Sequence, residues 1–251
     1  MGKRFGELKN SSYLCTKKRK NAWLLLEIAF NFRFHFKNPT DGINGKMTMK
    51  MKANHKGHEF VNLGLPSGTL WATCNVGATS PEQAGLYFAW GETTGFTANQ
   101  VKNGEHSFSE LSYKSSHTAS INAHLNIRQD AARSYMGGKW RIPTYDEFKE
   151  LIDNCDGVWT ENYNGTGVTG HIFISKINGN SVFFPASGIC IDLSVKHVGS
   201  YVGYWSYICA SQEYAWFMNL MECGADIAIC CRRHGLLVRG IFKIYNSCSL
   251  S

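Results

Sequence analysis

No two cysteines in this chain are spaced as C-x-x-C, although there are nine of them. Their number is odd and their spacing irregular, so no disulfide framework is evident. Cys230 and Cys231 are adjacent, and bridging neighbours is strained. Mostly reduced thiols are expected, several of them in the core. No apolar run is long enough and free enough of charge to span a bilayer. There is no phosphate-cradling glycine loop and no nucleophile elbow, which leaves Ser67 in "LPSG" as a turn serine. No segment repeats at an interval of tens of residues. Proline is scarce, with 5 against 25 glycines, and aromatics make up 13%. That mix suits a turn-rich α+β or all-β domain better than a helical bundle.

Acidic residues are nearly missing from the first 56 positions, which hold 13 Lys/Arg and 3 Asp/Glu. Residues 57–251 hold 13 and 16, so the formal charge of +7 belongs to the leader. A nucleic-acid role for the main body gets little support. "KKRK" (Lys17 to Lys20) reads as a solvated charged tail. The apolar stretch behind it contains Glu27, is followed by Arg33 and His35, and has no small-residue cleavage site. That departs from a secretion signal. Residues 1–56 are expected to be a poorly ordered basic leader, 57–242 a ligand-binding domain, and 243–251 a short tail.

The patterned region begins near Gly57. Leu70, Ala72, Cys74 and Val76 alternate with Trp71, Thr73 and Asn75, the period of a half-buried strand. Thr93 to His124 is polar and weakly patterned, and reads as a surface excursion. Arg128 to Met136 has helical composition, and Gly137-Gly138 offers a left-handed stop. Pro143 holds Ile142 extended. Thr144 and Glu147 form a capping box that opens a second helix, with Phe148, Leu151 and Ile152 on one face. Asp146, Glu147, Glu150 and Asp153 are read as a solvated acidic face that favours the helix N-terminus. "GHIFISKINGNSVFFPASG" is a hairpin pattern, with Asn178-Gly179 predicting a type I′ turn. "GYWSYI", "YAWFMNL" and "GLLVRGIF" are further strands. The fold class expected is α+β, antiparallel strands with two short helices.

Several runs together resemble a known family: "VNLGLPSGTLWATCNVGATSPEQAGLYFAWGET", "DAARSYMGGKWRIPTYDEFKELID", "NGNSVFFPASG", "GYWS" and "GLLVR", in that order. They are similar to the Fibrobacter succinogenes major paralogous domain, abundant in gut Bacteroidetes, over roughly Gly57 to Phe242. The resemblance implies a C-type-lectin-like fold of the formylglycine-generating-enzyme type. It implies a C-terminal ligand-binding surface, which diversity-generating retroelements vary in some relatives, and a place at a cell surface, outside the cell or on a virion. "GYWS", Ala215, Gly235, Val238 and Arg239 match the retained scaffold. Tyr207 stands where relatives often carry a serine, and "VRGIF" replaces their usual Val-Arg-Pro-Val ending.

The candidate binding surface is therefore Ser206 to Gly235. Along Ala215 to Met221, strand parity sends Trp216, Met218 and Leu220 one way and Phe217, Asn219 and Met221 the other. The second set is taken as the exposed one, although both faces lean apolar and a strand buried on both sides stays open. Tyr207, Ile208, Gln212, Glu213 and Tyr214 would lie on the loop before it, and Asp226, Arg233 and His234 beyond it. Aromatic, Met and Arg side chains suit contacts with a macromolecule. A protein ligand is expected, with a cell-surface glycan as the alternative; no cofactor is expected. The competing role is an adhesin-type structural module without a varied site. Cys223 with Cys230 or Cys231 superficially resembles the redox pair of formylglycine-generating enzymes, but its local spacing does not match. Cys223, Cys230, Cys231 and His234 make a poor zinc set, because adjacent cysteines are awkward ligands. The calcium-binding Glu-Pro-Asn, Gln-Pro-Asp and Trp-Asn-Asp of true C-type lectins do not occur.

Overall fold

A computed structural model describes residues 54–109 and 122–244. Nearly all of the leader, part of the polar excursion and most of the tail lie outside the described residues. In chain order the elements begin β1 (Asn54–His55), β2 (His58–Asn62), β3 (Thr69–Asn75), α1 (Ala98–Lys102), α2 (Ala131–Met136) and α3 (Tyr145–Asn154). There follow β4 (Cys155–Thr160), β5 (Gly170–Ser175), β6 (Ser181–Pro185), β7 (Ile189–Ile191) and β8 (Ser194–Lys196). The last are β9 (Tyr201–Cys209), β10 (Tyr214–Met221), β11 (Gly224–Cys231) and β12 (Arg239–Lys243). The fold is mostly antiparallel β with three short helices, an α+β composition. No helix among the described residues is long and apolar enough to cross a membrane.

The strands form sheets ordered β1-β2-β3-β12, β11-β10-β9, β4-β5-β6 and β7-β8. β12 pairs antiparallel with β3, so the C-terminal strand closes the sheet that the N-terminal strands begin. Asn54 and His55, inside the span assigned to the leader, pair with β2. Lys243, assigned to the tail, ends β12 and reaches Glu147 at 3.1 Å.

Two apolar clusters share the interior. One gathers Trp71, Phe148, Leu151, Phe184, Tyr204, Met218 and Leu220. The other gathers Leu70, Phe88, Trp90, Trp140, Trp205, Ala215, Phe217 and Val238. Neighbouring residues of β3 and β10 enter different clusters, so these strands are buried on both faces. This corrects the half-buried reading of β3. A strand with a core on each side loses the apolar–polar alternation that marks a one-sided sheet. Each large side chain buried here contributes about 1.5–3 kcal/mol.

The helix junction follows the sequence closely. Asp130 caps α2 by accepting from Arg133 N at 3.0 Å, and accepts from Ile142 N at 3.1 Å. Gly137 ends α2 with φ +67°, a conformation that suits glycine. Thr144 opens α3 with both halves of the capping box: Glu147 N donates to Thr144 Oγ1 at 3.3 Å, and Thr144 N to Glu147 Oε2 at 3.0 Å. Glu147 is nevertheless not part of a solvated acidic face. It is buried and takes a two-pronged bond from Arg141, at 2.6 and 2.7 Å. Glu150 also has a partner, accepting from Ser67 N at 2.7 Å and Ser67 Oγ at 2.6 Å.

Two further differences have local causes. The excursion contains α1, opened by a second capping box at Thr97 and Gln100. T-x-x-Q was legible there, but the helix is too short to show an apolar period. The β5–β6 hairpin forms, yet its connection runs from Lys176 to Asn180 and is not a two-residue type I′ turn. Only Gly179 of the Asn178-Gly179 pair has positive φ. Ser175 Oγ accepts from the amides of Ile177 and Asn178 and organises a longer loop.

Two buried ionisable groups make large contributions to the acid response. Burial pushes the His171 imidazole down to about 4 from 6.5. Burial alone would raise the Glu147 carboxyl, but Arg141, with the Thr144 amide and Lys243, outweighs it and holds the group at about 2. In the unfolded chain His171 takes up a proton as pH falls through 6.5, while the folded form resists until about 4. Stability should therefore decline across that window, by on the order of 2–3 kcal/mol. A second decline, from about 4.5 to 2, follows as the unfolded Glu147 protonates first. Urea unfolding at stepped pH should show both limbs, and His171→Phe should flatten only the upper one. Thr144→Ala should cost about 1 kcal/mol in the same assay at neutral pH.

Candidate functional site

The segment Ser206 to Gly235 folds as the β9–β10–β11 sheet and its turns, with β10 central. Tyr214 pairs with Cys231, Trp216 with Ile229 and Met218 with Ile227. On the other side Ala215 pairs with Cys209 but Phe217 with Trp205, so Ser206, Tyr207 and Ile208 bulge opposite the single Trp216. Such bulges bend a strand and re-aim its side chains.

Burial along β10 departs from the parity expected of it. Phe217 is buried, 5% exposed, its ring centroid 6.4 Å from that of Trp205. Trp216, expected in the core, is half-buried and meets Tyr145 edge-on at 5.1 Å. Met218 and Leu220 are buried on the Trp216 side, as expected. The physical reason is that each face of the sheet is covered over only part of its length. Phe148 and Leu151 of α3 share a cluster with Met218 and Leu220, and that cover gives out at Tyr145, where α3 begins. The opposite face is covered at the other end, where Ala215 and Phe217 join Trp90 and Leu236.

The expected site residues consequently fall into separate groups. Tyr207 and Ile208 are half-buried within β9 and not on a loop. Tyr207 N donates to Pro143 O at 2.7 Å, its carbonyl accepts from Leu125 N at 3.0 Å, and its ring lies 5.9 Å from His124. Ile208 bridges to His124. Burial pushes the Tyr207 hydroxyl pKa up, and Asp130 adds to it. Gln212 and Glu213 are exposed in the β9–β10 turn, and Tyr214 is the half-buried first residue of β10. That turn is pinned from beneath by buried Arg232, whose Nη1 donates to Gln212 O at 2.8 Å and whose backbone N donates to Glu213 O at 2.9 Å. The Arg232 guanidinium lies 4.5 Å from the Trp90 ring centre. Asn219 and Met221 are half-buried at the far end of β10, with exposed Asp226 opposite Asn219. Tyr214 and Met221 are seven residues apart on one strand, about 23 Å at 3.3 Å per residue. Arg233 and His234 are half-buried just after β11.

The structure does bring together a group that strand parity missed. Tyr214 and Trp216 share a face with Ile229, which is 50% exposed, and with Tyr145 at the start of α3. Gln212 and Glu213 border them. The alternation Ala225, Ile227, Ile229, Cys231 was the available sign that β11 is a strand.

The cysteine groupings do not assemble. Cys223 lies in the β10–β11 turn and Cys230 near the other end of β11, about 23 Å along the strand. Cys230 and Cys231 point to opposite faces. Cys230 Sγ is 3.4 Å from His234 Nδ1, and burial, with Cys231 beside it, pushes the Cys230 thiol up to about 12. No disulfide joins the seven described cysteines, of which Cys155, Cys190 and Cys209 are buried. Among the described residues no His, Cys, Asp and Glu cluster is placed to hold a metal. Comparison with protein-family models, curated proteins and solved structures finds no match to the chain.

Truncations on β10 should invert the simple parity order. Phe217→Ala removes a buried aromatic and should cost about 3–5 kcal/mol. Trp216→Ala should cost less, because its ring is half-buried. Thermal melts of both variants check the order; equal losses would mean that Trp216 is as enclosed as Phe217.

Proposed function

We propose that this chain is a non-enzymatic binding module of C-type-lectin-like architecture, which takes a protein ligand on the open end of the β9–β10–β11 sheet. The observation that carries the reading is the strip of Tyr214, Trp216 and Ile229, flanked by Tyr145 and bordered by the polar Gln212–Glu213 turn. Aromatic anchors beside a polar rim are the usual composition of a protein-binding surface. Buried Arg232 fixes the turn, so the strip is held in one arrangement before any ligand arrives, which lowers the ordering cost of binding.

The burial of the scaffold positions supports the same reading. Tyr204, Trp205, Ser206, Ala215, Val238 and Arg239, which match the retained residues of the resembled family, are all buried. Gln212, Glu213 and Asp226, between them in sequence, are exposed. A fixed frame with replaceable residues between is what a varied binding surface requires. The ligand-contacting set is accordingly Tyr214, Trp216, Ile229, Tyr145, Gln212 and Glu213.

The test uses immobilised wild type and a Tyr214→Ser/Trp216→Ala variant, both checked by thermal melting and offered the same cell-surface extract. A protein held by the wild type should bind the variant at least about tenfold more weakly, a loss of roughly 1.4 kcal/mol. Protease treatment of the extract should abolish capture and periodate oxidation should not. Equal capture by the folded variant would place the site elsewhere; loss on periodate alone would make the ligand a glycan.

A further inference from the structure

The first described strand, β1, is held by the lobe built around α2. The Lys139 amide donates to His55 Nε2 at 3.3 Å, and Trp140 Nε1 donates to the His55 carbonyl at 3.0 Å. Gly138 lies so close that a Cβ there would sit 2.6 Å from His55 Nε2 and 3.0 Å from Lys56 Cγ. Lys56 is thereby set beside Lys139. Apart from His124, the charged or titrating side chains from Asn122 to Trp140 and the link to α3 are Arg128, Asp130, Arg133, Lys139 and Arg141. Asp130, the one acid, is buried with its oxygens turned to the Arg133 and Ile142 amides, and Arg141 is taken by Glu147. Lys56, Arg128 and Lys139 are exposed and Arg133 is half-buried; none of the four forms an ion pair among the described residues. Glu59 of β2 lies opposite Asn54, so it faces away from His55. Two large apolar side chains reach the surface in the same stretch, Ile127 at 60% and Tyr135 at 42% exposed.

We propose that this lobe, together with the leader that enters it, docks on the surface of an anionic phospholipid bilayer. Residues 1–53 carry 12 Lys/Arg against 3 Asp/Glu and include the apolar, aromatic run from Trp23 to Phe36. They join the domain at β1, beside Lys56 and Lys139, so the two sets of positive charge adjoin. The rest of the domain is acidic. Residues 57–251 hold 13 Lys/Arg and 16 Asp/Glu, a net −3; residues 122–145 within them hold 4 and 1, a net +3, which leaves −6 for the remainder. An anionic surface is attracted to the lobe and repelled by the other faces, which orients the molecule as well as holding it.

The apolar side chains favour lipid over nucleic acid. Trp, Phe, Leu and Ile beside Lys and Arg are the composition of segments that lie in a bilayer interface, where the apolar groups enter between headgroups and the cations meet phosphate. A phosphate backbone alone has no apolar surface for Ile127 to enter. The proposal does not rest on the strip at Trp216, because vesicles free of protein test it.

The full chain is floated on vesicles of phosphatidylglycerol with phosphatidylcholine, and on vesicles of phosphatidylcholine alone, at about 0.15 M salt. It should rise with the anionic vesicles only, and the bound fraction should fall as salt is raised. Lys56→Gln/Arg128→Gln/Lys139→Gln, three exposed changes that leave the thermal transition in place, should lower the vesicle partition coefficient at least about tenfold. Ile127→Ser should also weaken binding, without altering its salt dependence. A wild-type chain that stays down with anionic vesicles would overturn the proposal. So would a triple variant that floats as well as the wild type, since the leader alone would then make the contact. Tighter retention on duplex DNA than on anionic vesicles, at equal phosphate, would make the partner a nucleic acid instead.

Discussion

A single buried cation ties the sheets of this protein together. Arg239, wholly enclosed on β12, donates from Nε to Asn75 Oδ1, from Nη1 to the carbonyls of Ala72 and Thr73, and from Nη2 to the Phe183 carbonyl, each at 2.9 Å. Its guanidinium lies 4.4 Å from the Phe184 ring centre and 5.9 Å from that of Tyr204. These contacts join β12 to β3 in its own sheet, to β6 in a second and to β9 in a third. An isolated charge in such a place would cost far more than the fold could supply, so every one of these acceptors must be in position. Lysine could not replace it, because a point charge has no planar fork with which to reach divergent carbonyls. Burial lowers the Arg239 pKa, yet guanidinium remains charged at any pH the fold survives.

The constraint passes outward from there. Fixing β9 against β12 fixes Tyr204 and Trp205, which point to opposite faces and enter different clusters. β10 must then be buried on both sides through its middle, while its start, opposite the bulge of β9, escapes on the Trp216 face. The exposed strip at Tyr214, Trp216 and Ile229 is thus what remains after two partial covers have been laid over one short sheet. Arg232 repeats the device on a smaller scale, a buried guanidinium stacked on Trp90 and bonded to the Gln212 carbonyl of the turn. One arginine holds the frame and the other holds the turn beside the strip.

Local features were legible in the sequence because short-range chemistry decides them. The end of α2 at Gly137, the capping box at Thr144 and the strands β9 and β10 need only a residue and its near neighbours. Ala215, Val238 and Arg239, matched to a retained scaffold by the resemblance alone, are buried. The β5–β6 turn escaped because a side-chain hydroxyl, Ser175 Oγ, took amides that an Asn-Gly turn would have left free. β11 escaped because a strand of mixed small and apolar residues at half exposure carries a weak period. On α3, Asp146 and Asp153 are exposed as expected, but Glu147 was misread because nothing in its helical spacing reveals Arg141 and Lys243, brought to it from an extended link and from the last strand.

The sequence by itself determined the α+β composition, the caps and stops of the longer helices and the segment in which exposed residues fall between buried ones. Only the tertiary structure decided which face of β10 is open and which of Phe217 and Trp216 is enclosed. Strand parity assigns residues to two faces but cannot say what covers either one. That depends on where α3 ends its cover and where the loops around Trp90 and Leu236 pack, contacts made by residues far away along the chain. It is also why Tyr145 and Trp216, 71 positions apart in the numbering, touch.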